Sequence, residues 1–584
     1  MTDTTDLALR MIEQDKPRNK YFKQCDDAYH CNWEMPPELK LLPWSHKHVS
    51  QKLHNAIAAS VKVLSTKHAK IKKYPYLPDE ANKQQANEDE RNLEWHLHNA
   101  SLLRSEKLES DFVESALLYK CVGAMVIDIN WQIKQAKALK MDTTAMERAR
   151  EKSRFAVNPY KPAHLHVRRS VYGVDTVLLA YKRSAAEVVM EWGEDNIPKE
   201  IKEIAKEKDD AIYYFDLMDY KIRGVWVQKE LDSEPYWIMN EVEHGLDFLP
   251  WVAELGGSSL EDNVAHKYQS MPYAAITSGA LETQNVIGTL LLTDAIAKAI
   301  PAEFAIEGFG TEETTIDAMD PHGIVKVGAG NTIKALQKSG MDPRLAELYD
   351  RASQDVSSAT IPDILMSGQL PAGMAFSTYN LATQTGIGQL KPYKELAEKG
   401  TAEVCRLFLM WSRHTKVALE AYGTQERGDI GKSYKIDPET IDPTGIYIKA
   451  ELIPMKPTDD LAKWNAGTIA NQVGLPMEYI LEDAGVEDPQ EALKLWEGEK
   501  IDAHLLEMWK QKQMIDMQME AQARQMQQQQ EAQQMAQEMQ MGGGAVPGGQ
   551  GFNPEMGGTP PIQANPPENQ LREQVLGQGG EPLA

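Results

Sequence analysis

Apolar residues recur at spacings of three and four through much of the first 160 residues. The stretches HKHVSQKLHNAIAASVKVLSTKHAKIKK and ERNLEWHLHNASLLRSEKLESDFVESALLYKCVGAMVIDI carry that period and predict helices. Between Tyr74 and Asn87 the chain is polar and contains proline, which predicts a loop. From about His164 the pattern changes. HLHVRRSVYGVDTVLLAYKR, AIYYFDLMDYKIRGVWVQKE and PYWIMNEVEHGLDFLPWVAELGG are rich in Val, Ile, Tyr and Trp and are broken by Gly, Asp and Pro. They predict short antiparallel strands joined by hairpins, interrupted by a helix over about Ser184–Lys208.

Helical periodicity returns near Leu260. Ile276, Ala280, Ile287, Leu291, Ala295 and Ala299 fall on one helical face, and Pro301 closes the helix. The following Ala302–Gly340 reads as short-stranded and Gly-rich, with carboxylates at Glu303, Glu307, Glu312, Glu313, Asp317 and Asp320. A second helix is predicted over about Asp342–Ser358, stopped by Pro362. Ile364–Leu390 contains no charged residue: a Gly/Pro loop opens into a long helix that runs to about Tyr422 and should kink at Pro392. Residues 423–458 read as loops with one or two strands, and helices resume from about Thr458 past Trp509. Met514–Met541 is a Gln/Met-rich helix or coil without sustained heptads, and Gly542–Ala584 has the composition of a disordered tail. No internal repeat is evident. Together these elements predict an α+β chain.

Charge narrows the function. The chain has 584 residues, is 42% hydrophobic and 25% charged, and carries a formal net charge of −24 with pI near 5.1. A tight grip on phosphates needs local positive charge, so any contact with nucleic acid is loose or confined to small basic patches. The same charge argues against an anionic membrane surface. The four cysteines, Cys25, Cys31, Cys121 and Cys405, are too few and scattered for a disulfide framework, which points to a reducing setting. The first residues lack a basic stretch followed by an apolar run, so no signal peptide is expected. Val286–Ile300 is interrupted by Thr289, Thr293, Asp294 and Lys298 and is too short and polar to span a bilayer.

Candidate chemistry is sparse. GDIGKS, Gly428–Ser433, resembles a phosphate loop, but the first glycine of that spacing falls on Glu426 and a strand is expected after it, so a solvated turn is the better reading. His-x-His occurs at His46/His48, His96/His98 and His164/His166; only on a strand would such a pair share a face, and no ligand cluster accompanies any of them, so they read as surface histidines. No nucleophile elbow, zinc-protease helix or Cys–His signature appears. No cofactor, metal or catalytic residue is expected. The loop Ser367–Phe376 is different. Its glycines, proline, glutamine and isolated large apolar side chains suit a flexible loop at a lumen, where lack of charge would neither hold phosphates nor repel them.

The order of these elements resembles the portal proteins of tailed bacteriophages over most of Tyr160–Asp502. Three places carry the resemblance. HGLDFLPWVAELGG is similar to the family's wing, with a glycine turn before an apolar strand containing Pro250. HKYQSMPYAAITSGALETQNVIGTLLLTDAIAKAIPAEF, led in by Tyr268, Ser270 and Pro272, is similar to the first stem helix. SATIPDILMSGQLPAGMAFSTYNLATQTG is similar to the end of the second stem helix, the tunnel loop and the start of the long kinked helix.

The resemblance implies a wing over residues 1–260, a first stem helix over 261–300, a clip over 301–340 and a second stem helix over 341–359. It further implies a tunnel loop over 360–378, a long helix with return strands over 379–457, a helical crown over 458–541 and a tail over 542–584. Ser367, Gln369, Leu370, Pro371, Met374 and Phe376 would face DNA in the tunnel. Glu307, Glu312, Glu313, Asp317 and Asp320 on the clip would dock the terminase large subunit and later the head-completion and tail adaptor proteins, and Lys334 and Lys338 are the candidate basic residues of the lumen. Such a subunit belongs to a ring of about twelve at one vertex of a virion, assembled in the host cytoplasm with major capsid and scaffolding proteins. Non-specific double-stranded DNA passes through it, it contacts no membrane, and it hydrolyses nothing. The rival expectation is another oligomeric virion protein such as an internal ejection protein, which would lack the hairpin-rich stretch of residues 164–257.

Overall fold

The computed structural model describes residues 3–41, 45–65, 68–74, 80–207, 210–231, 233–257, 261–299, 304–308, 331–335, 343–359, 376–423, 431–442, 447–453, 512 and 514. The chain divides into two units, residues 1–476 with 480–487 and residues 477–479 with 488–584. All described residues except 512 and 514 lie in the first unit, and apart from these two the crown and tail expectations fall outside the described residues.

The helices of the first half are α1 (Asp3–Tyr29), α2 (Pro37–Lys40), α3 (Lys52–Leu64), α4 (Glu80–Ser101), α5 (Leu108–Tyr119), α6 (Ile129–Ala138) and α7 (Thr144–Lys152). Among them run the strands β1 (Lys70–Lys73), β2 (Cys121–Asp128) and β3 (Phe155–Pro159). Two of these strands correct the helical reading of the sequence. KHAKIKK ends in β1, and CVGAMVID is β2 rather than the end of a helix. Lys120 shows why: it takes the left-handed conformation, φ 51°, which stops α5 and reverses the chain. All eight residues of β2 are buried, because it is the centre of a three-stranded sheet ordered β3-β2-β9, where β9 is Trp251–Leu255. A strand buried on both faces reads as a continuous apolar run, which periodicity cannot separate from a buried helix.

The hairpin-rich stretch forms a five-stranded antiparallel meander: β4 (Leu165–Ser170), β5 (Gly173–Ser184), β6 (Ala211–Asp219), β7 (Ile222–Gln228) and β8 (Tyr236–Glu243), paired in sequence order. The helix expected over 184–208 is two short helices, α8 (Ala185–Trp192) and α9 (Lys199–Ile204), separated by Gly193 at φ 79° and by Pro198. The strand after Pro250 does not close a hairpin on β8. As β9 it leaves the meander and pairs with β2, antiparallel from Cys121↔Leu255 to Met125↔Trp251.

The first stem helix is also interrupted. Residues 264–299 fold as α10 (Val264–Lys267), α11 (Tyr273–Thr277) and α12 (Ala280–Ala299). Gly279 at φ 69° ends α11, and Pro272 precedes it. Then come the antiparallel pair β10 (Phe304–Gly308) and β11 (Asn331–Ala335), α13 (Pro343–Ala359), and the 40-residue α14 (Phe376–Thr415) with Pro392 inside it. This last helix stops seven residues before the expected Tyr422. The chain turns through Lys416, φ 54°, into β12 (Leu419–Tyr422), which pairs with β13 (Ser433–Ile436) just after Gly431. The strand predicted within GIYIKAELIPM is β14 (Ile448–Glu451), and it pairs with β1.

The main core sits where α1, α3, α4, α5 and α14 meet the β3-β2-β9 sheet. Trp411 of α14 is fully buried and donates its indole N–H to the carbonyl of Val126 in β2 at 2.9 Å. Phe408, one turn earlier, stacks on Phe155 of β3 with ring centroids 4.4 Å apart. Gly400 lets α14 approach closely, since a Cβ there would stand 2.8 Å from Val122. The C-terminal half of the long helix is thus packed onto the β3-β2-β9 sheet.

Candidate functional surface: the paired helices α12 and α13

Of the sequence-derived site residues, three fall on described elements, one each on β10, β11 and the start of α14. Glu307 lies on β10 opposite Thr332, Lys334 lies on β11 opposite Ala305, and Phe376 opens α14. Glu312, Glu313, Asp317, Asp320, Lys338, Ser367, Gln369, Leu370, Pro371 and Met374 lie outside the described residues. In chain order the described elements here are α12, the antiparallel pair β10 and β11, α13 and α14.

α12 and α13 pack side by side, and α11 joins them through a small cluster of Ala275, Ala280, Leu281 and Val356. On α13 the buried positions Ala352, Ser353 and Val356 recur at helical spacing, while Arg344, Glu347, Asp350, Arg351 and Asp355 point outward. α12 departs from the predicted face. Ala280 and Ile287 are buried, but Leu291 is half-buried, Ala295 is exposed, and Leu292 is turned out at 38% exposure. The buried positions include Gln284, Asn285, Gly288 and Thr289.

The reason is a polar segment, residues 45–51 before α3, laid across both α12 and α13. The backbone N–H of Ser50 donates to Asn285 Oδ1 at 2.8 Å, and that of His48 donates to Thr289 Oγ1 at 3.1 Å. The His48 ring covers Gly288 so closely that a Cβ there would stand 2.2 Å from the ring. Its Nε2 lies 3.3 Å from Tyr349 Oη on α13. At the start of α3, the Lys52 ammonium reaches the hydroxyls of Ser353 and Ser357. Side chains on α12 satisfy a passing backbone, as buried polar groups require. This contact was missed by sequence reasoning, because a polar pairing between residues some 240 apart leaves no periodic trace. The one available signal was Gly288, a helix-interior glycine, which costs about 1 kcal/mol against alanine unless something must come close.

Where α14 passes α11 and the residues before it, a cleft of about 310 Å³ is lined by Lys120, Ser270, Met271, Tyr273, Leu390 and Tyr393 among others. Tyr393 donates its hydroxyl to the Gln269 carbonyl at 3.2 Å, and burial pushes its pKa up to about 12. A neutral phenol, a thioether and one lysine form no nucleophile–base pair.

The histidine pairs are not surface residues throughout. His96 is 2% exposed, between the rings of Trp95, Phe155 and Phe408. His166 is also 2% exposed, with Nδ1 2.8 Å from Asp15 Oδ2. His164 does not join it: it ends a short 3-10 turn and stacks on Tyr181, and burial with Lys161 nearby lowers its pKa to about 4. Among the described residues no three His, Cys, Asp or Glu side chains are grouped to hold a metal, and no helix is long and apolar enough to cross a membrane.

No family model and no curated protein matches the chain. Among solved structures, it is similar to a chain of the neck of an empty GTA particle computed with C6 symmetry, at 11% identity and TM-score 0.35, covering 73% of this chain and 90% of that one. It is similar also to a chain of the neck of a native GTA particle computed with C12 symmetry, at 12% identity and TM-score 0.31, covering 74% and 99%. Likeness at that level carries no functional argument.

Proposed function

We propose that this chain is a portal subunit of a tailed phage or phage-like particle, and that copies of it form a ring through which double-stranded DNA enters and leaves the capsid. The observation that carries the reading is the element order built around the stem. Two helices, α12 and α13, run side by side and are joined through an antiparallel strand pair. The charge-free segment after α13 then leads into a 40-residue helix whose far half is anchored in the wing by Trp411. A channel subunit needs this arrangement: a rigid arm that carries a loop, held by a broad α+β body.

In this reading β10 and β11 are the base of the clip, and its acidic residues from Glu307 to Asp320 receive the packaging motor and then the adaptor proteins. Ser367–Phe376 lines the narrowest part of the tunnel. A net charge of −24 per subunit, multiplied around a ring, repels phosphates and keeps DNA sliding. The chain itself performs no chemistry. Shortening the loop over residues 367–376 tests the assignment: rings should still form while DNA packaging or retention fails. Normal packaging by such deletions would remove the tunnel-loop role.

A further inference from the structure

The α6–α7 hairpin reverses the charge of the molecule around it. Residues 129–154 hold seven Lys and Arg against three Asp and Glu, a local charge of +4 in a chain at −24. Lys134, Lys137, Lys140, Arg148, Arg150 and Lys152 are all exposed. The seventh cation, Arg154, is structural: it pairs with Asp128 at 2.9 Å and donates to the Ala418 carbonyl at 2.8 Å.

The hairpin is firmly seated. Asp128 caps α6 by accepting from the N–H groups of Asn130 and Trp131, and α6 buries Ile129, Ile133 and Ala136. Trp131 lies against Trp411, with ring centroids 5.2 Å apart. At the far end, Asn196 donates to the Leu139 carbonyl at 2.8 Å. α7 buries none of its residues and is held against α6 by Lys137 and Glu147, 3.0 Å apart. That pair, with Thr143 donating to the same carboxylate at 3.1 Å, accounts for Glu147. Asp142 accepts from the Thr144 N–H and hydroxyl, at 2.9 and 2.6 Å. Among the described residues, Lys134, Lys140, Arg148, Arg150 and Lys152 form no ion pair. Five cations thus stand exposed on the hairpin, while Asp142 and Glu147 are engaged within it by Thr144 and by Lys137 and Thr143.

We infer that this hairpin is a docking surface for the phosphate backbone of duplex DNA, outside the channel and without base readout. Composition selects DNA over a protein partner. No large apolar side chain of residues 129–154 is exposed, whereas protein interfaces have an apolar, aromatic core and are depleted in lysine. A membrane surface is disfavoured for the same reason, since an interfacial helix needs an apolar face to bury. Interfaces with DNA are polar, lysine- and arginine-rich and readily salt-screened. The rest of the acidic chain repels the duplex, so contact is confined to this patch and is weak. The inference does not depend on ring formation, although in a portal it would hold packaged DNA against the wing.

The test is fluorescence anisotropy of a labelled random-sequence duplex of about 30 base pairs with the full-length protein, titrated between about 50 and about 200 mM salt. The triple variant K134Q/R148Q/K152Q is compared with wild type and with K20Q/K23Q, which neutralises two exposed lysines of α1. Wild type should bind at low salt. The triple variant should bind about tenfold or more weakly, and the slope of log affinity against log salt should fall by about 0.9 for each phosphate that is no longer neutralised. The α1 variant should match wild type. No binding by wild type at low salt, or equal losses in both variants, overturns the inference. So does an altered oligomeric state of the triple variant with unchanged DNA binding, which would assign the patch to an acidic protein surface. Imaging the same samples keeps the two proposals apart: rings without hairpin-dependent binding defeat only this inference, and hairpin-dependent binding by a stable compact dimer or a closed particle without a hole defeats only the portal reading.

Discussion

The backbone N–H of Ser50 donates to the side chain of Asn285 at 2.8 Å, tying a coil before α3 to the buried face of α12. Removing that acceptor leaves a buried N–H without a partner, which costs about 1–3 kcal/mol. Asn285→Ala should therefore lower the unfolding free energy by that amount and speed amide exchange over residues 45–51. Gly288→Val should do more, because its side chain occupies the place of the His48 ring. Hydrogen-exchange mass spectrometry reads both. Unchanged protection of residues 45–51 in Gly288→Val would mean the segment does not rest on α12.

His96 predicts an acid-labile core. Burial first, then the positive charge of Arg154, lowers its pKa from 6.5 to about 3, and neither ring nitrogen is hydrogen-bonded. The folded protein thus keeps the imidazole neutral while the unfolded chain takes up a proton below about pH 6.5. Where the unfolded state binds more protons, stability rises with pH. The contribution of His96 is fully present above about pH 6.5 and is lost as the pH falls towards 3. Replacing His96 by Leu should remove up to about 1.4 kcal/mol of stability change per pH unit in that window. Urea unfolding at several pH values measures it, and an unchanged slope in His96→Leu would assign the acid sensitivity elsewhere.

Under the proposed portal function, reversing charge at Glu312, Glu313 and Asp317 should weaken binding of the packaging motor. Pull-down with the terminase large subunit is the readout. Motor binding that survives all three reversals would remove the acidic cluster from the docking role.

The sequence was most legible where one face of an element is wet. α13 was placed within a residue at each end, from Asp342–Ser358 to Pro343–Ala359, because its buried stripe alternates with charges. The five-stranded meander announced itself by turn residues and β-branched runs. Legibility failed where tertiary context replaces periodicity. β2 is buried at every position, so CVGAMVID gave no period to choose between helix and strand. On α12, the spacing of Ala280, Ile287, Leu291 and Ala295 suggested an inward face, yet the buried side includes Gln284, Asn285 and Thr289 because its neighbour is polar backbone. Gly279 breaks the first stem helix through a positive φ that a helical average over 261–300 hides. Of the candidate site, the strand pair carrying Glu307 and Lys334 was foreseen, whereas the basic α6–α7 hairpin was visible only once folding brought its cations to one surface.

Electron microscopy of the purified full-length protein, with its mass measured alongside, tests the central claim most directly. The account predicts closed rings of about twelve subunits with a central hole of about 20 Å or more, wide enough for a DNA duplex. A stable compact dimer, or closed particles without a hole, would contradict it.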